Sequence, residues 1–123
     1  MYKIEADVEK NLLILHLEGF MSDEELKNGA QELIDLVSSK MKPGFIVIND
    51  IAKMKPASQE GTEHIKKAQM FVAQNGVARI IRVTDNPISK MQMSRTAKSA
   101  GYIAEEAKTM EEALDRVNEL VSA

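Results

Sequence analysis

Residues 44–61 read GFIVINDIAKMKPASQEG, and this stretch decides the fold. Phe45 to Ile48 is a continuous apolar run, the signature of a central strand covered on both faces. Asn49 and Asp50 are expected to end that strand. A polar loop, Lys53 to Gln59, then leads to a helix near Ser58 to Gln74, with Gly61, Ile65, Ala68 and Val72 on its inner side. Asn75-Gly76 supplies a left-handed cap for it. A strand buried on both faces that feeds a helix is the building unit of a parallel α/β sheet.

Toward the N-terminus, Lys42, Pro43 and Gly44 stop a preceding helix. That helix starts at a capping box, Ser22 with Glu25, and its Leu26, Ala30, Leu33, Ile34, Val37 and Met41 fall within an arc of roughly 100°. Before it, Tyr2, Ile4 and Ala6 alternate with Lys3, Glu5 and Asp7, and after a polar turn at Glu9 to Asn11 the run Leu12 to Leu17 is nearly all apolar. These predict an edge strand, a hairpin and a more buried strand. Toward the C-terminus, Val77 to Thr84 reads as a strand, and Asn86-Pro87 opens a third helix that runs to Gly101. Tyr102 to Ala107 is a weak strand because Glu105 and Glu106 sit in it. Thr109 with Glu112 forms a second capping box before a last helix that buries Ala113, Leu114, Val117, Leu120 and Val121. The order β-β-α-β-α-β-α-β-α, with right-handed crossovers, predicts an α/β fold whose mixed sheet is mainly parallel.

The chain has 123 residues and 44% hydrophobic content, enough for one domain, residues 1–123, with a single core. With 16 basic and 19 acidic side chains the formal charge is −3, which offers no surplus for a phosphate backbone, so no nucleic-acid partner is expected. There is no cysteine and there are two histidines, so neither thiol chemistry nor a metal or cofactor is expected. No run approaches a membrane span and MYKIEADVEK lacks the apolar character of a signal peptide, so the expected location is the cytoplasm, without membrane insertion.

The element order, together with IVINDIAKMKPASQEG at residues 46–61 and KTMEEAL at residues 108–114, resembles the STAS or SpoIIAA-like family. That resemblance implies a small regulatory domain that works by docking to a protein partner. In the family's anti-sigma-factor antagonists, an apolar strand leads through a loop to Asp-Ser or Asp-Thr and then Ser-Gly at the start of the second helix, and the first Ser or Thr is phosphorylated. Counting without gaps from Ile46-Val47-Ile48 places Ala57 at the aspartate, Ser58 at the phosphoacceptor and Gln59 at the following serine. Gly61 comes one residue late.

Ser58 therefore has two readings. Its hydroxyl can cap the second helix, or it can take a phosphate, which would meet free helix amides with Lys53 and Lys55 in the same loop. A small anion or nucleotide could also sit where strand ends feed helices, which makes Asn49, Asp50, Ser58, Thr84 and Asn86 candidate binding residues. No glycine-rich phosphate loop accompanies them. His64 lies six residues from Ser58, too far around a helix to act as its base, and Glu60 with His64 reads as a solvated pair. His16, between Leu15 and Leu17, reads as a satisfied strand histidine. Eight methionines against five aromatic residues suggest an adaptable surface. Met54 falls in a loop, and Met70, Met91 and Met93 are partner-surface candidates, with gap-filling in the core as the alternative. The expected function is a non-enzymatic, partner-binding regulatory module, with a homodimer as one form of partnership. A carrier of a small apolar or anionic ligand is the alternative, and an enzyme using Asp50, Ser58 or His64 is the weakest.

Overall fold

The structure, a computed structural model, describes residues 1–84 and 104–122. Its elements are β1 (Tyr2–Asp7), β2 (Leu12–Gly19), α1 (Asp23–Lys40), β3 (Ile46–Met54), α2 (Gln59–Gln74), β4 (Arg79–Val83), β5 (Ala104–Ala107) and α3 (Met110–Ser122). The expected helix between Asn86-Pro87 and Gly101 lies outside the described residues, as do Tyr102 and Ile103 of the expected last strand. The five described strands form one sheet in the order β1-β2-β3-β4-β5. β1 and β2 are antiparallel, and every later pairing is parallel. Ile48 stands opposite Ile81, so the central strand and its parallel neighbour are those the sequence predicts.

Polar chemistry sets the joints. At the β1–β2 turn Asn11 adopts φ 53°, a left-handed conformation that asparagine tolerates. Its side chain donates to Lys42 O and accepts from Lys42 N, both at 2.9 Å, which ties the hairpin to the end of α1. At the start of α1, Ser22 Oγ accepts from Glu25 N at 3.1 Å and Glu25 Oε1 accepts from Ser22 N at 3.3 Å. That amide, and the N-terminal ammonium beside it, hold the Glu25 carboxyl below the usual carboxylate range. After α2, Gly76 takes φ +86° and lets the chain reverse into β4.

β3 departs from expectation. It does not end at Asn49 and Asp50 but continues to Met54. His16 pairs with Asp50 while Glu18 pairs with Lys53, so β3 carries one extra residue there. This bulge resets the alternation, and Ile51 and Met54 both reach the interior at 0% and 1% exposure. Met54 is thus a core residue of a strand rather than a loop residue.

Alternation along the strands divides the core. Leu13, Val47 and Ile80 face α1 and α2, joined by Leu33, Val37, Ala68 and Val72. Leu12, Ile46, Ile48, Ile81 and Val83 face α3, which contributes Ala113 and Val117, with Met110 and Leu120 partly buried. Leu114 and Val121, expected inside, are instead exposed at 37% and 55%. Helix α3 is rotated so that the short Ala113 lies against the sheet, and Leu114, about 100° further round, turns outward. Its capping also differs: Thr109 Oγ1 accepts from Glu112 N, but the Glu112 carboxylate takes Lys108 N instead of the Thr109 amide.

The acidic strand β5 is tolerated because its charges are matched. Glu105 binds Arg79 at 3.2 Å and Arg116 at 2.9 Å, and Glu106 binds Arg82 at 3.1 Å on the other face. The Arg116 guanidinium holds the Glu105 carboxyl below the usual carboxylate range, against a smaller opposing effect of burial.

Candidate functional site

Alternation separates the strand-end candidates. Asn49 points toward α1 and α2 and is 4% exposed, whereas Asp50 points to the α3 side of the sheet. Thr84 follows β4, is buried, and its amide donates to Ala107 O at 3.2 Å. Asn86 lies outside the described residues. Asn49 and Asp50 are therefore not brought into one anion site with Ser58.

Ser58 is the N-cap of α2, with its Oγ accepting from Gly61 N at 2.9 Å. The hydroxyl proton goes to Asp23 Oδ1, in the first turn of α1. Ser58 thus ties the starts of two helices together. Gly61 allows this approach, since a Cβ there would stand 2.6 Å from Leu26 Cδ1 and 3.3 Å from Asp23 Oδ1. Asp23 is a partner that sequence reading missed, and a signal was available: an acid in the first turn of a capped helix is already oriented toward its N-terminal amides.

On the α3 side of the sheet, His16 Nδ1–H donates to Asp50 Oδ2 at 3.0 Å, and Glu5 Oε2 lies 3.6 Å from His16 Nε2. The two carboxylates address opposite ring nitrogens, so they cannot share a metal ion with the imidazole. Glu5 is held below the usual carboxylate range mainly by Lys3, with His16 adding to it. Among the described residues no hydrogen bond or ion pair joins Glu60 to His64, and no group of three or more His, Asp or Glu side chains is placed to hold a metal.

Met70 is 40% exposed on α2, at a shallow groove that also includes Ile34, Phe71, Lys66 and Lys67. Met91 and Met93 lie outside the described residues.

Beneath α1 and α2 lies a cavity of about 50 Å³, lined by Leu15, Leu33, Val47, Ile65, Val72 and Ile80 together with Asn49 and Gln69. Asn49 Oδ1 is buried at its wall and accepts no hydrogen bond among the described residues. Leaving such an acceptor unsatisfied costs about 1–3 kcal/mol. In the sheet Asn49 stands between Leu15 and Arg82, and Arg82 pairs with Glu106, so a polar row crosses this face beside the cavity. Sequence reading singled out Asn49 as a strand-end residue. It did not find the cavity, which only the packing of two helices on the sheet creates.

No family model matches the chain, and no curated protein matches it in sequence. Solved structures do match. An uncharacterized protein of the DUF3478 family from Shewanella loihica PV-4, with a SpoIIAA-like fold, superposes with a TM-score of 0.72 at 13% identity, over 95% of this chain and 92% of that one. The anti-sigma factor antagonist SpoIIAA in its unphosphorylated form gives 0.68 at 17% identity, over 96% and 98% of the two chains. The Bacillus cell fate determinant SpoIIAA in its phosphorylated form gives 0.67 at 18%, over 95% and 99%. At such identities the likeness is one of backbone path, and it extends over nearly the whole chain: this protein has the SpoIIAA-like fold.

Proposed function

We propose that this protein is a non-enzymatic regulatory module of the cytoplasm that acts by docking to a protein partner, and that Ser58 is where its docking is switched. The fold likeness to an anti-sigma factor antagonist supports the coarse reading. The observation that carries the switch is the bond from Ser58 to Asp23 across two helix starts. A phosphate on Ser58 Oγ removes the donated proton and places about two negative charges against the Asp23 carboxylate, while the helix amides of α2 still favour it. The first effect pushes the starts of α1 and α2 apart. The second keeps the cap in place. Modification would therefore change the relation between the two helices without unfolding either.

The partner surface in this reading is the outer side of α2 around Met70, an apolar centre edged by Lys66 and Lys67. No described helix is long and apolar enough to cross a membrane.

The test compares wild type, Ser58→Ala, Ser58→Asp and Met70→Glu as baits in native cells. One partner should be retained by wild type and Ser58→Ala and lost by Ser58→Asp and Met70→Glu, with all four folded by circular dichroism. Mass spectrometry of the native chain should find phosphate on Ser58. A partner held equally by all four baits defeats both the switch and the surface. Loss of self-association in Met70→Glu by sedimentation identifies the partner as a second copy.

A further inference from the structure

Asn49 interrupts an apolar row. Val47 and Ile51, its neighbours on the same face of β3, are 2% and 0% exposed, and the sheet would be covered as well by another aliphatic side chain at position 49. Instead folding strips water from a carboxamide and leaves its Oδ1 without a hydrogen bond at the wall of a cavity of about 50 Å³. The large majority of buried acceptors in native proteins have a donor, from the protein, from ordered water or from something else bound.

We propose that this cavity is a binding site for a small neutral molecule with one hydrogen-bond donor on an apolar body. The donor bonds to Asn49 Oδ1, and the body packs against Leu15, Leu33, Val47, Ile65, Val72 and Ile80. Three observations set the chemistry. The orphan atom is an acceptor, so it selects a donor and repels an anion. Apart from the uncharged Gln69 and the Tyr2 ring the rest of the wall is aliphatic, and the nearby Arg82 charge is matched by Glu106, so an ion entering here would lose its hydration without gaining a counter-charge. The volume is about a third of the roughly 150 Å³ apolar cavity that accepts benzene, which limits the ligand to on the order of three heavy atoms. A short alcohol meets all three conditions. The site is separate from Ser58 and from the outer side of α2, so it holds or fails independently of the docking reading.

Ethanol and its isomer dimethyl ether are matched probes, because they have the same atoms and only ethanol has a donor. Each is titrated into the full chain and followed by methyl and side-chain amide NMR. Ethanol should give saturable shifts confined to the lining methyls and the Asn49 amide, in the millimolar range or weaker, which is the limit for so few atoms. It should bind about tenfold tighter than the ether, the size of one net hydrogen bond. Asn49→Leu should abolish that preference. If Asn49→Leu does not fold, Ala30→Leu, which fills the cavity from α1, should remove the shifts from both probes. Non-saturating ethanol shifts, equal binding of the two isomers, or a long-lived water that neither displaces would overturn the proposal, the last by assigning Oδ1 to a structural water.

Discussion

On the α3 side of the sheet, Ile46, Ile48, Ile81 and Val83 meet Ala113 and Val117, and none of the six exceeds 6% exposure. On the α1/α2 side the same central strands present Asn49 and a buried Arg82, which pairs with the exposed Glu106, and a cavity. Both faces are covered by amphipathic helices, but the polar groups on the α3 side, His16 with Asp50 and Glu105 with Arg79 and Arg116, are partnered and partly exposed, whereas Asn49 Oδ1 on the other side is fully buried without a partner among the described residues. The α3 face is what packing for stability looks like. The other face gives up apolar area and leaves an acceptor unsatisfied, a cost that folding by itself does not require.

The largest expected effect tests the filled face. Ile48→Ala removes a fully buried side chain from a site with no slack and should cost about 2–5 kcal/mol by urea denaturation. A loss below about 1 kcal/mol would mean that α3 collapses onto the gap and that the face is not tightly packed. Small-to-large changes then compare the two sides directly. Ala113→Leu should cost about 1–3 kcal/mol, because Ala113 is 0% exposed against the sheet. Ala30→Leu enters existing space and should stay within about 1 kcal/mol of wild type. Equal losses would erase the contrast.

The cap of α2 comes next, on the cavity side. Ser58→Ala removes the acceptor for Gly61 N and the donor to Asp23, and should lower stability by about 0.5–2 kcal/mol. Little change would show that neither bond is made in solution.

The smallest effect concerns the ion pairs beside α3. The Glu105 carboxyl titrates below its unfolded value because Arg116 binds it. Its contribution is therefore present above the unfolded carboxylate pKa and is lost as pH falls through the lowered folded one. Arg116→Ala should destabilise at neutral pH, and the difference from wild type should shrink as the solution is acidified toward pH ~3. A difference that grows on acidification would contradict the pairing.

What could be read from the sequence follows the range of the interactions. Ser22 with Glu25 and Ser58 with Gly61 N lie within one helical turn, so local chemistry predicts both caps. The parallel pairing of β3 with β4 follows from apolar runs and crossover handedness. The extension of β3 to Met54 does not, because the bulge opposite β2 reverses which residues face inward and is set by pairing register. Nor does the rotation of α3, where Ala113 and Leu114 carry the same apolar signal and only the distance to the sheet separates them. Asp23 and Ser58 are 35 residues apart, and the same separation in the chain hides the cavity that α1 and α2 enclose.

Spatial strand order repeats chain order from β1 to β5. During synthesis from the N-terminus, each new strand therefore meets an edge that already exists, and no early strand has to wait for a late one to be inserted beside it. The side carrying α1 and α2 can assemble progressively as the nascent chain emerges. The opposite side cannot: Ile46, Ile48, Ile81 and Val83 receive α3 from residues 110–122. A ribosome-bound intermediate would thus be finished on one surface and sticky on the other, and the interval before α3 emerges is when a chaperone or a misassembly would act on it.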